Sequence, residues 1–454
     1  MIGWGWVINS GDWLSTAGFL GSIIAFLIGG VMVIFVGFTY AELTSAMPQC
    51  GGEHVFSHRA MGTTGSFICT WAIILGYVAT AAFEATALPT VITYLFPDFN
   101  QIYLYTIADR DIYLTTILLG SIMAVFITWI NMAGAKTAAI LQTVLTAIIA
   151  LSGILLIVSS VVTGNGDNIS HQMIQTGEDS FLSSIFKVAC MTPFLFIGFD
   201  VIPQAAEEIN MPYKKIGSIM LFSICIAIVW YLLIIFAVAY VMPSSAIAEE
   251  MNSQNGLVTA KAIEIAFNSP VMGKVLIVGG LCGIITSWNS FLMGGSRAMY
   301  SMGESYMLPK IFSKLSDKKT PTAALVLCGA CCVIAPFFGR GVLVWLVDAA
   351  SFGCVIAYVF VSISYVILRF KEPEMIRPYK VKHGKLVGII AIILSDFMAA
   401  LYIIPQSVFS FGAGLIWQEW IVVGVWALIG VVFYFYSKAK YGKKFGMEVS
   451  AELD

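Results

Sequence analysis

The chain has 454 residues, 59% of them hydrophobic and only 11% charged, with a formal net charge of −2. A soluble protein of this length carries about a quarter charged residues, and one water-soluble core cannot bury so much apolar surface. The weak acidity also excludes the basic surface that nucleic acid requires.

Lipid is the solvent that such a composition fits, and a spanning helix needs about 20 apolar residues. Residues 1–8 (Met-Ile-Gly-Trp-Gly-Trp-Val-Ile) are apolar but too short to span. They read as the outer half of a first helix, with the expectation that its inner half is missing from the sequence. Eleven further segments qualify: 19–42, 66–95, 112–133, 138–162, 183–206, 216–242, 271–296, 322–338, 342–368, 386–405 and 419–437. The chain therefore makes eleven to twelve crossings. Amphipathic aromatics such as Trp129, Tyr240, Trp345, Trp417 and Trp420 fall near segment ends, where the interface favours them.

Lys and Arg fix the orientation. With the tail (Lys438, Lys440, Lys443, Lys444) inside, nineteen of the 24 basic residues fall on the cytoplasmic side. The outer side keeps Arg110, Lys261, Lys274 and Arg340, with Lys187 at a helix end.

Two segments are interrupted. Gly3-Trp4-Gly5 breaks the first, and Pro193-Phe194-Leu195-Phe196-Ile197-Gly198-Phe199-Asp200, followed by Pro203, breaks the sixth. The five-crossing interval suits two five-helix repeats of opposite orientation. Unwound turns in corresponding halves are where transporters expose backbone ligands to solute. Among ionisable residues at membrane depth, Asp200 follows the second break directly. Glu84, between Phe83 and Pro89, faces either a cavity or a buried hydrogen-bond partner. Asp348 and Asp396 lie nearer helix ends.

Other clusters carry less. Cys328, Cys331 and Cys332 have no second pair and read as small buried hydrophobes. His54 and His58, at i, i+4 beside Glu53, have a metal-pair spacing but no third ligand nearby. No metal and no resident cofactor is expected, and a membrane-embedded enzyme is the disfavoured class. Asn168-Ile169-Ser170 is a glycosylation pattern on the outer side.

Five motifs in order resemble the amino acid–polyamine–organocation (APC) superfamily of permeases. Ala41-Glu42-Leu43-Thr44-Ser45-Ala46-Met47-Pro48 with Gly51-Gly52-Glu53-His54-Val55 is similar to the family's A-E-L-x-x-x-x-P…G-G-x-Y segment, and Arg59-Ala60-Met61-Gly62 continues it. Phe196-Ile197-Gly198-Phe199-Asp200 leading to Ala206-Glu207-Glu208-Ile209-Asn210-Met211-Pro212 is similar to F-x-G-F-[DE]…A-E-E-x-x-N-P. Gly295-Ser296-Arg297-Ala298-Met299-Tyr300 with Leu308-Pro309, and Arg377-Pro378-Tyr379-Lys380-Val381, resemble later family stretches.

The resemblance implies an all-α polytopic protein of leucine-transporter type. It would have a 5+5 inverted-repeat core over residues 1–370, a cytoplasmic linker at 371–385, two helices within 386–437 and a tail at 438–454. It implies a permease of the plasma membrane that moves amino acids by alternating access. Ile2, Gly3, Trp4 and Gly5 would offer amides to a carboxylate. The Phe196, Ile197 and Gly198 carbonyls would take an ammonium, with Phe199 and Asp200 alongside. Glu84 would hold a proton or a substrate amine. Glu207, Glu208, Lys214 and Lys215 form a charged cluster in which a pairing with Arg297 would latch the inner gate. Aligning Asn131, Gly134, Lys136 and Gln142 with the family puts Ile149 where proton-coupled members have a lysine. The coupling ion, H+ or Na+, therefore stays open. An amine, ethanolamine or polyamine permease and a non-transporting sensor on the same fold are the alternatives.

Overall fold

In the computed structural model, which describes residues 1–108, 110–175, 180–253, 256–405, 407–408 and 414–447, apolar runs become long helices. In lipid every backbone group must find its partner inside the protein, and a helix achieves this within one segment. The first helix, α1 (Gly5–Ala46), has 42 residues. At 1.5 Å per residue it would reach about 63 Å if straight, twice the hydrocarbon thickness. It turns instead at Gly18, whose φ of 69° is open to a residue without Cβ. The chain then doubles back, so that Trp13 meets Phe26 with ring centroids 4.5 Å apart. The amides that the turn frees, of Phe19 and Leu20, donate to the carbonyls of Gln172 and Met173.

Helix α2 (Glu53–Leu95) bends in the same way at Gly62. The Ser66 hydroxyl reaches back across that bend to the carbonyl of His54 at 2.9 Å. Between α2 and α3 (Leu114–Met132) an antiparallel hairpin, β1 (Tyr103–Ile107) and β2 (Arg110–Tyr113), pairs Thr106 with Asp111. Then come α4 (Ala135–Thr163), α5 (Gly166–His171), α6 (Phe181–Phe196), α7 (Val201–Gln204), α8 (Tyr213–Val241), α9 (Ser244–Met251) and α10 (Val258–Phe267). The chain continues through α11 (Pro270–Glu304), α12 (Thr322–Ile334), α13 (Gly339–Lys371), α14 (Gly384–Ile403) and α15 (Trp417–Tyr441).

Among the described residues, ten helices are long and apolar enough to cross a membrane. The expected segment 322–338 is shorter than a full span. It comprises α12 and a 3-10 turn at Ala335–Phe337, where Pro336 has no N–H to continue the ladder. The architecture is all-α and polytopic; the hairpin is its one β element among the described residues.

The helices pack through small residues, as membrane helices do. A Cβ at Gly29 of α1 would come within 1.8 Å of Thr192 Oγ1 on α6, and one at Gly37 within 2.3 Å of Ile224 on α8. The periphery is apolar and exposed, as at Leu428, Val432 and Phe435 of α15, the surface that lipid covers. Helix α15 is fastened to α2 by Trp71 and Trp426, stacked 4.4 Å apart. Each indole N–H donates to the other residue's carbonyl at 2.9 Å.

At the end of α1, Glu42 is fully buried and holds the 371–385 segment. Its Oε2 accepts from Arg369 Nη2 and, at 2.7 Å, from the Val381 amide. Arg377 Nε lies 3.0 Å from Oε1, and Ser45 Oγ accepts from the Tyr379 amide. The residues of the Arg-Pro-Tyr-Lys-Val stretch thus bind α1.

Candidate functional site

Two helix ends lie at the glycine- and proline-containing segments singled out from sequence. Residues 1–4 are non-helical, and α1 starts at Gly5 with no side chain capping it. The first amides of a helix have no intrahelical partner and carry the positive end of its dipole. Opposite, α6 stops at Phe196 and the chain passes through Gly198 (φ 121°) before α7.

Local chemistry explains that stop. Pro193 has no N–H, so the carbonyl of Ala189 loses its helical donor; the Thr192 hydroxyl supplies one at 2.7 Å. The Leu195 carbonyl, left without a donor by the break, accepts from Tyr231 Oη at 2.9 Å. Asp200 Oδ1 accepts from the Gly198 amide at 2.6 Å and pins the turn.

A cleft of about 660 Å³, part of it open to solvent, lies between these ends. Met1 to Gly5 form one wall and Phe194, Leu195, Ile197 and Gly198 the other. Phe83, Glu84 and Thr80 of α2, Gln142 of α4 and Thr286, Ser287, Ser290 and Phe291 of α11 complete it. Ser287 lies beside both Gly3, where a Cβ would meet its Oγ at 2.2 Å, and the Glu84 carboxylate. Glu84 is almost wholly buried, and its Oε2 has no hydrogen-bond partner. The Phe83 and Phe194 rings meet edge to face at 6.2 Å, an apolar corner beside that carboxylate.

Of the residues singled out from sequence, the structure brings Ile2, Gly3, Trp4, Gly5, Ile197, Gly198 and Glu84 together on this cleft. Phe196 packs away from it, against Phe26 and Tyr231. Phe199 packs between Tyr40 and Tyr358, at 5.2 and 5.4 Å. Asp200 is fully buried beneath the break, with Oδ2 unpartnered. Asp348 lies beside Glu419, and Asp396 is exposed.

Sequence reasoning missed Tyr231, Gln142 and the α11 hydroxyls. Polar residues at 286, 287 and 290, on one face of an apolar helix, were the available signal. An amide ladder supports Gln142: Asn131 Nδ2 donates to Asn289 Oδ1 at 2.9 Å, and Asn289 Nδ2 to Gln142 Oε1 at 3.0 Å. Ile149 is buried against Gly283, which itself abuts Gly3 and Trp4.

The remaining motifs have structural partners. His54 Nε2 lies 2.8 Å from Ser305 Oγ and Nδ1 2.9 Å from Ser66 Oγ, while His58 bonds the Gly446 carbonyl. Among the described residues no group of His, Cys, Asp or Glu has metal-binding geometry. Asn168 Nδ2 donates to the carbonyls of Tyr240 and Val241. Glu208 makes a two-pronged ion pair with Arg297, at 2.5 and 2.9 Å, tying the segment after α7 to α11.

Residues 1–428 match the protein family described as Amino acid permease. The branched-chain amino acid permease BcaP of Bacillus subtilis is 24% identical over 98% of this chain and 91% of its own length. The methylthioribose transporter of the same organism is 24% identical over 97% and 91%. The histidine permease HisP of Lactococcus lactis is 24% identical over 98% and 92%.

Proposed function

Because the chain belongs to the amino acid permease family, we propose that it carries an amino acid across the cell membrane by alternating access, bound in the cleft between the ends of α1 and α6. One observation carries this reading: an uncapped helix start and a helix stop face each other across a single cleft. Amides at a helix start favour a carboxylate, and carbonyls at a helix end favour an ammonium. An α-amino acid bears both groups about one residue apart. Gly3, Gly5 and their neighbours hold the carboxylate, Ile197 and Gly198 carbonyls the ammonium, and Phe83, Phe194 and Phe291 enclose the side chain.

The core of residues 1–370 carries out the rocking, as two repeats of opposite orientation. The linker 371–385 and the helices within 386–437 form its outer support. The Lys and Arg bias supports a cytoplasmic tail from residue 438; residues 448–454 lie outside the described residues. The Glu208–Arg297 pair then sits on the cytoplasmic side and latches the closed inner end.

Relatives of equal identity are named for branched-chain amino acids, histidine and methylthioribose, so the cleft's own side chains must decide the substrate. The free Oε2 of Glu84 favours a second reading, a cationic amino acid or an amine. Uptake and exchange of labelled amino acids and amines in proteoliposomes separates the two. Glu84→Gln should weaken a cationic substrate about 10- to 100-fold, the worth of one charged hydrogen bond, and leave neutral ones nearly unchanged. If no amino acid or amine is exchanged by folded protein, the transport reading is wrong.

A further inference from the structure

Beneath the cleft lies a second polar centre that substrate recognition leaves unused. Glu53 begins α2 and Asp200 precedes α7, and both are fully buried. Their elements are in contact: the Gly51 amide donates to the Gln204 carbonyl at 3.2 Å, and a Cβ at Gly52 would lie 2.8 Å from Pro203. Gln204 Nε2 donates to Glu53 Oε2. Glu53 Oε1, Asp200 Oδ2 and Gln204 Oε1 have no partner.

Three phenols surround the pair. Tyr40 of α1 is directed at Glu53 and Tyr77 of α2 at Asp200, and Tyr358 of α13 acts on both. All three are buried. The other titratable groups facing the pair are Cys69 on α2, Cys354 on α13 and the amino group of Met1, which is felt by Asp200.

We propose that Glu53 and Asp200 form a proton-binding centre, distinct from the substrate cleft, that couples amino acid transport to a proton gradient. The inference rests on the transport reading above. Two carboxylates that feel each other in a dry interior cannot both stay ionised, and apart from the Met1 amino group beside Asp200 this pair has phenols, thiols and an amide around it in place of guanidinium groups. A shared proton neutralises one carboxylate and turns it into a donor for an orphaned oxygen nearby. A desolvated Na+ would need several oxygens arranged around one point, whereas here Gln204 and Gly198 present N–H groups to the carboxylates. The step is proton transfer alone: a carboxylate oxygen takes the proton from water on one side of the membrane and returns it to water on the other. The pair joins the start of α2 to α7, so movement between those elements changes the access of water to it.

The test uses the full-length chain in proteoliposomes and in detergent. A one-unit pH gradient supports about a tenfold substrate gradient per proton. Wild type should approach this with the amino acid it exchanges best, and Glu53→Gln should accumulate none. Exchange at equal pH on both sides should stay within about twofold of wild type in Glu53→Gln, because no driving force is needed there. Infrared titration of the detergent-purified protein should show a protonated carboxyl band that Glu53→Gln removes.

Unchanged accumulation in the variant overturns the proposal, as does an infrared band that the substitution does not touch. So does a folded variant that loses exchange together with accumulation, which would assign Glu53 a structural task. Should wild type exchange no amino acid, the transport reading fails, and the infrared result alone then decides the proton centre. If Glu53→Gln does not fold, Glu53→Asp replaces it; the pH of half-maximal accumulation must then shift, and no shift overturns the proposal.

Discussion

Two groups of buried carboxylates lie in one chain under opposite conditions. Glu42 faces cations: two arginines and a backbone amide converge on it and hold the 371–385 segment on α1. Glu53 and Asp200 are equally buried, yet their bonds come from uncharged donors, the Gln204 amide and the Gly198 backbone N–H. Burial alone therefore does not tell a clasp from a switch. The number and the charge of the donors do, because only a guanidinium makes the ionised form stable whatever moves nearby.

The comparison breaks most visibly at Glu42. Glu42→Gln leaves Arg377 and part of Arg369 buried without their counter-charge, and loss of one partner from such a pair costs about 3–5 kcal/mol. The detergent-solubilised protein should unfold at a much lower temperature, or fail to accumulate folded. A drop no larger than that of an average surface substitution would remove the distinction.

Next comes Gly52, which lets the start of α2 approach Pro203 with φ near 36°. Gly52→Ala forces a Cβ against that proline and should cost about 1–3 kcal/mol in strain, seen as a lowered thermal midpoint. It should also change the pH dependence of accumulation, since it pushes Glu53 from Gln204.

Glu53→Gln is expected to change stability by less than about 1 kcal/mol, since an amide replaces a carboxylate without uncovering a cation. Stability loss equal to that of Glu42→Gln would put Glu53 among the clasps.

The smallest effect belongs to an exposed pair. Arg59 binds Glu372 at 2.7 Å and holds its carboxyl below the usual range. A depressed folded pKa stabilises above the unfolded value, near 4.3, and the contribution disappears as pH falls through the folded value. Both side chains are partly solvated, so Arg59→Ala should cost only about 0.2–1 kcal/mol at neutral pH. The difference from wild type should vanish in acid and shrink in high salt.

Much of the fold was legible in the sequence because lipid imposes length and apolarity on every crossing. The stop after Pro193 was legible too, since proline's missing donor acts locally. The doubling back at Gly18 was not: it depends on the Gln172 and Met173 carbonyls, more than 150 residues away, meeting the freed amides. The hairpin at 103–113 went unread because its aromatic and β-branched residues sit in a stretch too short to weigh against its neighbours. At the site, the segments around Gly3 and Gly198 that stood out in the sequence lie along two walls of the cleft. The third wall comes from α11, whose serines and threonines look like ordinary helix surface until α1 starts against them. Glu53 was visible only as a neighbour of His54; its burial arises from tertiary contact with Gln204, which no local pattern encodes.

The paired tryptophans of α2 and α15 give the molecule a built-in optical gauge. Two indoles stacked 4.4 Å apart and bonded to each other's backbone must couple their electronic transitions strongly, so their near-ultraviolet circular dichroism reports directly on whether the last helix is docked. The signal belongs to one helix–helix contact at the lipid-facing edge, so any bilayer composition that loosens that edge should become readable without a label.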